Sequence, residues 1–203
     1  MSPRGSSIDS LIRRRRMTRR FAHDALDDGV LAEMLELARR APSAGFSQGL
    51  TLLVLKGPSR TRFFEITGAA EWFAKTSPGV LAAPVVVLVL ADPNAYTARY
   101  AEGDKAGHGL EDAAMWPVPF WLTDAAMAAQ NLLLLAEDRG LGALLFGIFQ
   151  NAREALAELG VPEGIVGVAA VAIGHRAPDD APSGSALTRP RRSPGDVVRY
   201  DHW

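Results

Sequence analysis

PVVVLVLA, at residues 84–91, is the most strongly patterned stretch of the chain and decides its fold class. The run is unbroken, apolar and rich in β-branched side chains, which predicts a β-strand. No polar residue alternates with the apolar ones, so we expect both faces of its sheet to be covered. Shorter apolar runs at residues 51–56, 144–146 and 166–173 predict three further strands.

Helical patterns lie between these strands, so the sequence predicts an α+β protein. Asp27 is a candidate N-cap for a helix with apolar residues on one face. Residues 125–136 are apolar nearly all round, which predicts a central buried helix, capped by Thr123 and ended at Arg139–Gly140. Asn151 is expected to cap a helix that runs to Leu159.

Composition excludes several classes of function. The chain of 203 residues has a formal net charge of −1 and no cysteine, so disulfides, thiolate catalysis and cysteine-bound metals are absent. The four histidines show no metal-ligand spacing, and we expect no metal. Neither a secretory signal nor a run long enough to span a bilayer is visible, so we expect a cytoplasmic protein without membrane contact.

Arginine is concentrated at the two ends of the chain. Nineteen of the 22 basic residues are Arg, seven of them within the first twenty residues and four within residues 189–199. A guanidinium binds oxyanions through a planar fork. If the first helix continues, Arg15 and Arg19 lie on one side of it and can hold one phosphate together. From this segment alone, a solvated arginine run remains the simpler interpretation.

A loop of small residues, APSAGFSQG at residues 41–49, precedes the first predicted strand. Such a loop lets backbone approach a flat ligand, while Ser hydroxyls and the Gln amide pair with the ligand's oxygens. A plain turn between a helix and a strand needs only the Pro and the Gly, so that interpretation also stays open.

Together these segments resemble the nitroreductase family of flavin enzymes. The family's first motif is a basic pair, a short polar stretch, a basic residue and an aromatic. Its second is a loop of the type Pro-Ser-x-x-Asn-x-Gln-Pro-Trp. The resemblance continues through residues 140–147 and closes near the C-terminus. The residues that carry it are Arg15, Arg16, Arg19, Phe21, Pro42, Ser43, Ser47, Gln48, Arg191, Arg192, Ser193, Pro194 and Trp203.

The chain departs from the family pattern at three places. Met17 stands where a small polar residue, often Ser, is common, so a ligand contact there is through the backbone alone. Phe46 replaces the usual Asn, and Gly49–Leu50 replaces Pro-Trp. These changes alter the pocket beside the flavin and leave the acceptor open.

The resemblance implies a three-layer α/β/α fold with a central mixed sheet of about five strands. It implies a flexible arm at residues 1–7, a flavin-binding domain at residues 8–175, and an arm at residues 176–203 that embraces the partner of a homodimer. FMN would occupy two equivalent sites, each built from both chains.

The resemblance also implies the site residues. FMN would be bound by Arg15, Arg16, Met17, Arg19, Pro42, Ser43, Ala44, Gln48, Leu145, Phe146, Gly147, Arg191 and Arg192. No catalytic side chain is expected, only the flavin and the backbone near Phe146 and Gly147, because the cofactor carries the chemistry. NADH or NADPH would reduce FMN, and a nitroaromatic, quinone or similar acceptor would then take its place, in ping-pong order. The expected substrate pocket is formed by Phe46, Leu50, Trp116 and Phe120.

Three alternatives remain open. Some relatives use reduced flavin and oxygen to convert flavin into a benzimidazole. A non-catalytic flavin-binding or storage protein would bind flavin without oxidising NAD(P)H. Nucleic-acid binding through the N-terminal arginines is disfavoured by the net charge of −1 and by the lack of interleaved aromatics.

Overall fold

A computed structural model describes residues 7–203 of the chain, so the expected flexible arm at residues 1–7 lies, except for Ser7, outside the described residues. Four strands form one sheet: β1 (Leu50–Lys56), β2 (Val85–Ala91), β3 (Gly142–Phe146) and β4 (Val166–Gly174). Their order is β1-β2-β4-β3. The four strands expected from the sequence are confirmed, each within about two residues of its predicted ends.

The sheet is antiparallel throughout its named strands, not mixed. Lys56 at the end of β1 pairs with Val85 at the start of β2, so the intervening helices return the chain to the edge that it left. The same reversal joins β3 to β4. The expectation of a mixed sheet is therefore wrong for the four named strands, although Met17 forms an isolated parallel bridge with Ala143 of β3. A fifth strand is not found among residues 7–203.

Strand β2 is the centre of the core, with all seven residues buried as its apolar run predicts. Val85, Val87 and Val89 pack on one side of the sheet, against α2 (Asp28–Ala38) and α6 (Phe120–Asp138). Val86 and Leu88 pack on the other side, against α3 (Gly57–Ile66), α4 (Ala69–Thr76) and α7 (Ala152–Glu158). The arrangement is three layers, α/β/α, as expected.

The remaining helices lie around this core. They are α1 (Ile8–Arg14), α5 (Pro93–Tyr100), α8 (Ser185–Thr188) and α9 (Pro194–Val197). Helix α5 falls inside the long connection that the sequence suggested, because Asp92 caps it and Pro93 occupies its first turn. No helix in the described part of the chain is long and apolar enough to span a membrane.

The ends of α2 and α6 agree only in part with the caps predicted from the sequence. Asp27 accepts a hydrogen bond from the Val30 N–H at 2.9 Å, and Gly140 follows α6 with φ 69°, so both are confirmed. The prediction that Thr123 caps the central helix is wrong, since α6 begins at Phe120 and its N-cap is Pro119. Asn151 precedes α7 as expected, but its side chain donates to the Ile66 carbonyl and does not cap the helix.

Candidate functional site

The arginine segment, residues 15–21, is extended and not helical. Helix α1 ends at Arg14, which makes the expected helical pairing of Arg15 with Arg19 wrong. The Thr18 N–H donates to the Ala143 carbonyl of β3 at 2.9 Å. Thr18 is fully buried, and a Cβ on Gly142 would lie 2.7 Å from its side chain. The close fit of Thr18 over a glycine therefore holds the segment flat along β3.

Met17 connects this segment to the end of β3. The Leu145 N–H points to the Met17 sulfur, with 3.5 Å between the two heavy atoms. Two of the stretches expected to bind FMN, the arginine segment and residues 145–147, are thus neighbours within one chain. Because Met17 occupies the Leu145 N–H, that amide is already engaged on the protein side.

Asp180 gathers three groups of the arginine segment. Its Oδ2 lies 2.5 Å from Arg16 Nη1, while Oδ1 accepts the backbone N–H groups of Arg19 and Arg20 at 3.2 and 3.0 Å. The Arg19 guanidinium also donates to the Ser183 carbonyl at 3.2 Å. The Asp180 side chain is 1% exposed. Arg16 is therefore committed to an ion pair within its own chain.

Arg15 is in a different position. Its Nη1 is buried and has no hydrogen-bond partner among residues 7–203. A buried donor without a partner costs free energy, and such a donor in a native protein is typical of a site that binds something else. Arg191 and Arg192 are both exposed on the C-terminal arm, where Arg192 Nη2 donates to the Asp196 carbonyl at 2.5 Å.

The loop at residues 41–48 is tightly bent. Residues Ala44–Phe46 form a 3₁₀ turn, and the Gln48 N–H donates to Ser43 Oγ at 2.9 Å. Phe46 and Gln48 have φ angles of 57° and 54°, which non-glycine residues rarely adopt. Phe46 is 73% exposed. The loop thus presents an aromatic ring to solvent from a strained backbone.

Helices α5 and α6 hold this loop from behind. Asp124 Oδ2 accepts the Ala44 N–H and the Tyr96 hydroxyl, each at 2.8 Å. Burial raises the pKa of Tyr96 to about 12, with Asp124 acting in the same direction and Ser43 opposing it. Arg99 Nε donates to the Gly45 carbonyl at 2.9 Å.

The expected substrate-pocket residues separate into two groups. Phe46 and Leu50 line a cleft of about 410 Å³ together with Pro42, Ser43 and Gln48. Trp116 is buried in an aromatic cluster, its ring centroid 4.8 Å from Tyr100 and 5.8 Å from Phe120, and its Nε1 donates to the Leu110 carbonyl. Trp116 thus packs behind the loop, whereas half-exposed Phe120 lies nearer the surface.

A second cleft, about 360 Å³ and mainly apolar, opens beside Phe146 and Gly147. Trp72 and Phe149 are exposed at its mouth, Phe149 by 93%. The Phe149 ring covers Gly147 so closely that a Cβ there would meet it at 2.4 Å. From the sequence, Trp72 was compatible with either the pocket or packing, and Phe149 was not expected to belong to the site.

Helix α6 separates the loop from the arginine segment. Asp124, near its start, holds the loop, while Glu137, near its end, pairs with Arg14 and Arg176. Arg176 in turn donates to Thr18 of the arginine segment. Thirteen residues at ~1.5 Å rise each put the two ends ~20 Å apart. Within one chain, the structure does not bring the two predicted motifs together.

Comparison with known proteins identifies the family. Residues 12–175 match the model of the Nitroreductase family. The chain belongs to this family.

Several relatives cover most of the chain. A protein of Thermus thermophilus named NADH dehydrogenase is 31% identical over 84% of this chain and 87% of its own. A putative NADH dehydrogenase/NAD(P)H nitroreductase of Archaeoglobus fulgidus is 27% identical over 81% and 83%. The crystal structure of a putative nitroreductase in complex with FMN from Desulfovibrio desulfuricans has a TM-score of 0.71 and 25% identity, covering 98% of each chain. These likenesses support the fold and the family assignment.

The sequence interpretation did not identify Asp124 and Asp180, which hold the two candidate site segments. Asp124 interrupts an apolar helix, and a single acid at the edge of such a run is a usable signal for a buried contact. Asp180 lies in a Pro- and Asp-rich stretch with no periodicity, so nothing in the sequence pairs it with Arg16. Its role depends on a contact across 164 residues.

Proposed function

We propose that this chain is an FMN-dependent oxidoreductase that uses NADH or NADPH and passes electrons to a small electrophilic acceptor such as a nitroaromatic or a quinone, in ping-pong order. Family membership supports the reaction class. Relatives with NADH or NAD(P)H in their names and a similar structure that contains FMN support the cofactors.

The observation that carries the proposal is the buried Nη1 of Arg15, which lacks a partner among the described residues. A phosphate oxygen would satisfy it with a charge-assisted hydrogen bond. The residues present therefore fit the phosphate of FMN. Arg16 supports the site indirectly, since its ion pair with Asp180 fixes the extended segment that carries Arg15 and Arg19.

A complete site is proposed to need two copies of the chain. The loop at residues 41–48 and the arginine segment lie at opposite ends of α6, ~20 Å apart along the helix axis. A two-fold axis beside α6 would bring the loop of one copy to the arginine segment of its partner, because such an interface pairs the same surface with itself.

An apolar surface supports this interface. Ile8, Ile12, Leu37 and Met127 are all exposed, although they belong to α1, α2 and α6. A groove of about 490 Å³ runs between the same helices. A helix that is apolar nearly all round is typically buried on all sides, yet Ala126 and Met127 of α6 are exposed in the described chain.

The chemistry requires little of the side chains. Bound FMN would supply hydride transfer at its ring. Arg15, Arg19 and the arm residues Arg191 and Arg192 would bind the phosphate, while Ser43 and Gln48 would contact ribityl or ring oxygens. The backbone at Phe146 and Gly147 would support the ring, and Phe46 with Leu50 would border the acceptor.

Location and other partners are also part of the proposal. We infer a cytoplasmic homodimer that binds no nucleic acid. The net charge of −1 supports the lack of nucleic-acid binding. So do the ion pairs that engage Arg16 and Arg20 within the chain.

Reconstitution with FMN followed by anaerobic reduction tests the proposal. We expect bound FMN with a visible flavin spectrum that bleaches on adding NADH or NADPH and recovers with a quinone or nitroaromatic. The variant Arg15→Ala should weaken FMN binding by about tenfold or more, whereas Arg15→Lys keeps the charge and should lose less.

Three outcomes would count against it. A protein that binds no FMN contradicts the cofactor assignment. Bound FMN that NADH and NADPH leave oxidised favours a non-catalytic flavin-binding protein. Consumption of FMN itself in oxygen, without an added acceptor, favours the benzimidazole-forming chemistry.

A further inference from the structure

Asp124 stands out because it is a buried acid outside the segments expected to bind flavin. It is 5% exposed. Burying a carboxylate is costly unless hydrogen bonds satisfy it. Asp124 lies near the start of α6, directly behind the loop at residues 41–48. Its hydrogen bonds are therefore available to stabilise that loop.

One oxygen of Asp124 joins three parts of the chain. Oδ2 accepts the Ala44 N–H of the loop and the hydroxyl of Tyr96 from α5, both at 2.8 Å. Oδ1 accepts from the neighbouring Thr123 hydroxyl at 3.3 Å. Tyr96 is itself 1% exposed, so this junction is shielded from water.

The loop requires such an anchor because its backbone is strained. Phe46 and Gln48 both have positive φ angles, and conformations of this kind persist only where the surroundings hold them. Gly45 and Gly49 pack directly against Tyr100 and Tyr96, with no room for a Cβ. Ala44 lies at the start of the bend, so fixing its N–H fixes where the bend begins.

The expected ligand contacts lie on either side of this anchor. Ser43 immediately precedes Ala44, and its Oγ accepts the Gln48 N–H at 2.9 Å. We propose that Asp124 is a positioning residue for FMN binding: through the Ala44 N–H it sets Ser43 and Gln48 in the geometry that contacts the cofactor. This inference rests on the proposed function, since it assumes that the loop binds FMN.

The hydrogen bonds to Asp124 allow the effect of its oxygen position to be separated from the effect of its charge. Both the Ala44 N–H and the Tyr96 hydroxyl donate to the same oxygen. An asparagine at this position can place its amide oxygen there and donate its NH₂ to the Thr123 hydroxyl. Asp124→Asn is therefore expected to preserve the loop, while Asp124→Ala removes its anchor.

Titration of the apoprotein with FMN, followed by flavin fluorescence, tests the proposal without any turnover. We expect Asp124→Ala to raise the Kd for FMN about tenfold, the effect of losing one hydrogen bond to a charged group. Asp124→Asn should stay within about twofold to threefold of the unmodified protein. Thr123→Ala is the matched control, because the Thr123 hydroxyl contacts Asp124 but not the loop. The Kd of this variant for FMN should equal that of the unmodified protein.

A double-variant cycle separates positioning from general destabilisation. If Asp124 acts through Ser43, then Ser43→Ala should weaken FMN binding in the unmodified protein and change it little in the Asp124→Ala background. Additive losses would mean that Asp124 merely stabilises the fold, and they would overturn the proposal.

A second variant covers the case in which Asp124→Ala does not fold. Ala44→Pro deletes the N–H that Asp124 binds, at a first-turn position that proline tolerates, after an extended Ser43 with φ −139° and ψ 123°. We expect a weaker Kd and a melting temperature that falls less than in Asp124→Ala, because the Asp124 carboxylate stays in place and keeps the hydrogen bond from the Tyr96 hydroxyl. Unchanged Kd in Ala44→Pro or in folded Asp124→Ala, with FMN bound by the unmodified protein, contradicts this inference alone. Failure of the unmodified protein to bind FMN contradicts the proposed function.

Discussion

The loop at residues 41–48 and the exposed part of the C-terminal arm, residues 185–203, make an instructive pair. Both are expected to reach the same FMN, and neither contributes to the core. The loop is held by buried groups of its own chain, Asp124 and Tyr96. The arm is exposed at every residue, including Tyr200 and Trp203, and its two helices have four residues each.

The loop and the arm therefore differ in how much of their structure is fixed by contacts within one chain. The contacts that shape the loop lie within one chain, so little ordering free energy remains to be lost when a ligand binds. The arm keeps exposed Leu187, Val197 and Val198 that its own chain does not cover. An apolar segment of this kind is expected to become ordered against a partner surface.

Deleting residues 185–203 should have the largest effect. The deletion removes Arg191 and Arg192, whose proposed charge-assisted hydrogen bonds to the phosphate would be worth ~1.5–3 kcal/mol each, so we expect the Kd for FMN to rise by about a hundredfold or more. Light scattering should show the dimer dissociating. The double variant Arg191→Ala/Arg192→Ala is the control, since it should lose FMN affinity and remain dimeric. A truncated dimer that binds FMN normally would refute the role of the arm.

Asp180→Ala tests whether the start of the C-terminal arm is held to the arginine segment of its own chain. It removes the carboxylate that pairs with Arg16, leaving that guanidinium only the backbone carbonyl of residue 180, and it removes the acceptor for two backbone N–H groups. We therefore expect a loss of ~2–3 kcal/mol in the free energy of unfolding. Asp179→Ala is the matched control, because its ion pair with Arg20 is exposed and worth less than ~1 kcal/mol. Equal losses in the two variants, measured by urea unfolding, would show that Asp180 has no special role.

Gly45→Ala should disturb the loop and leave the arm unchanged. Gly45 has φ 60°, and a Cβ there would lie 2.7 Å from the Tyr100 ring, so the loop must shift. We expect the Kd for FMN to rise about tenfold, as for the loss of one good contact. Gly57→Ala has a similar φ of 49° but meets nothing within 4 Å, which isolates the cost of backbone strain. Comparable FMN affinity in both variants would argue that the loop does not touch the cofactor.

The smallest expected effect is on the pH dependence of stability, which Tyr96→Phe should remove at high pH. Burial raises the pKa of Tyr96 to about 12 from 10.0, so the folded state keeps this proton more tightly than the unfolded state. The resulting stability is complete below pH 10 and is lost as the pH rises from 10 to 12. Between pH 9 and 11, the unmodified protein should lose ~1 kcal/mol more than Tyr96→Phe in urea unfolding. Exposed Tyr200→Phe is the control, and a pH dependence that survives in Tyr96→Phe would exclude Tyr96 as its source.

The sequence predicted the layers of the fold better than the direction of its strands. Apolar runs such as residues 84–91 report burial on both faces, and the structure confirms that burial. Strand direction depends on which edge of the sheet the chain returns to, which the helices between strands do not encode locally. For this reason the sequence did not specify that β1 pairs with β2 in antiparallel fashion.

For the candidate site, local composition predicted the segments but not their mutual arrangement. The arginine segment appeared helical by spacing, yet burial of Thr18 over Gly142 keeps it extended. The pairing of Arg16 with Asp180 and of Ala44 with Asp124 joins residues 164 and 80 positions apart. Contacts at such separations follow from tertiary packing, so no local pattern predicts them.

The length of α6 predicts complementation between two differently mutated chains. If its two ends serve two different sites of a dimer, one chain carrying Arg15→Ala and one carrying Gly45→Ala should complement each other. In the mixed dimer, one site receives both defects and the other receives none, so half of the sites bind FMN normally. If each site were built within one chain, every site of the mixed dimer would carry a defect. Co-expression of two differently tagged chains, followed by FMN titration of the mixed dimer, would distinguish these two architectures.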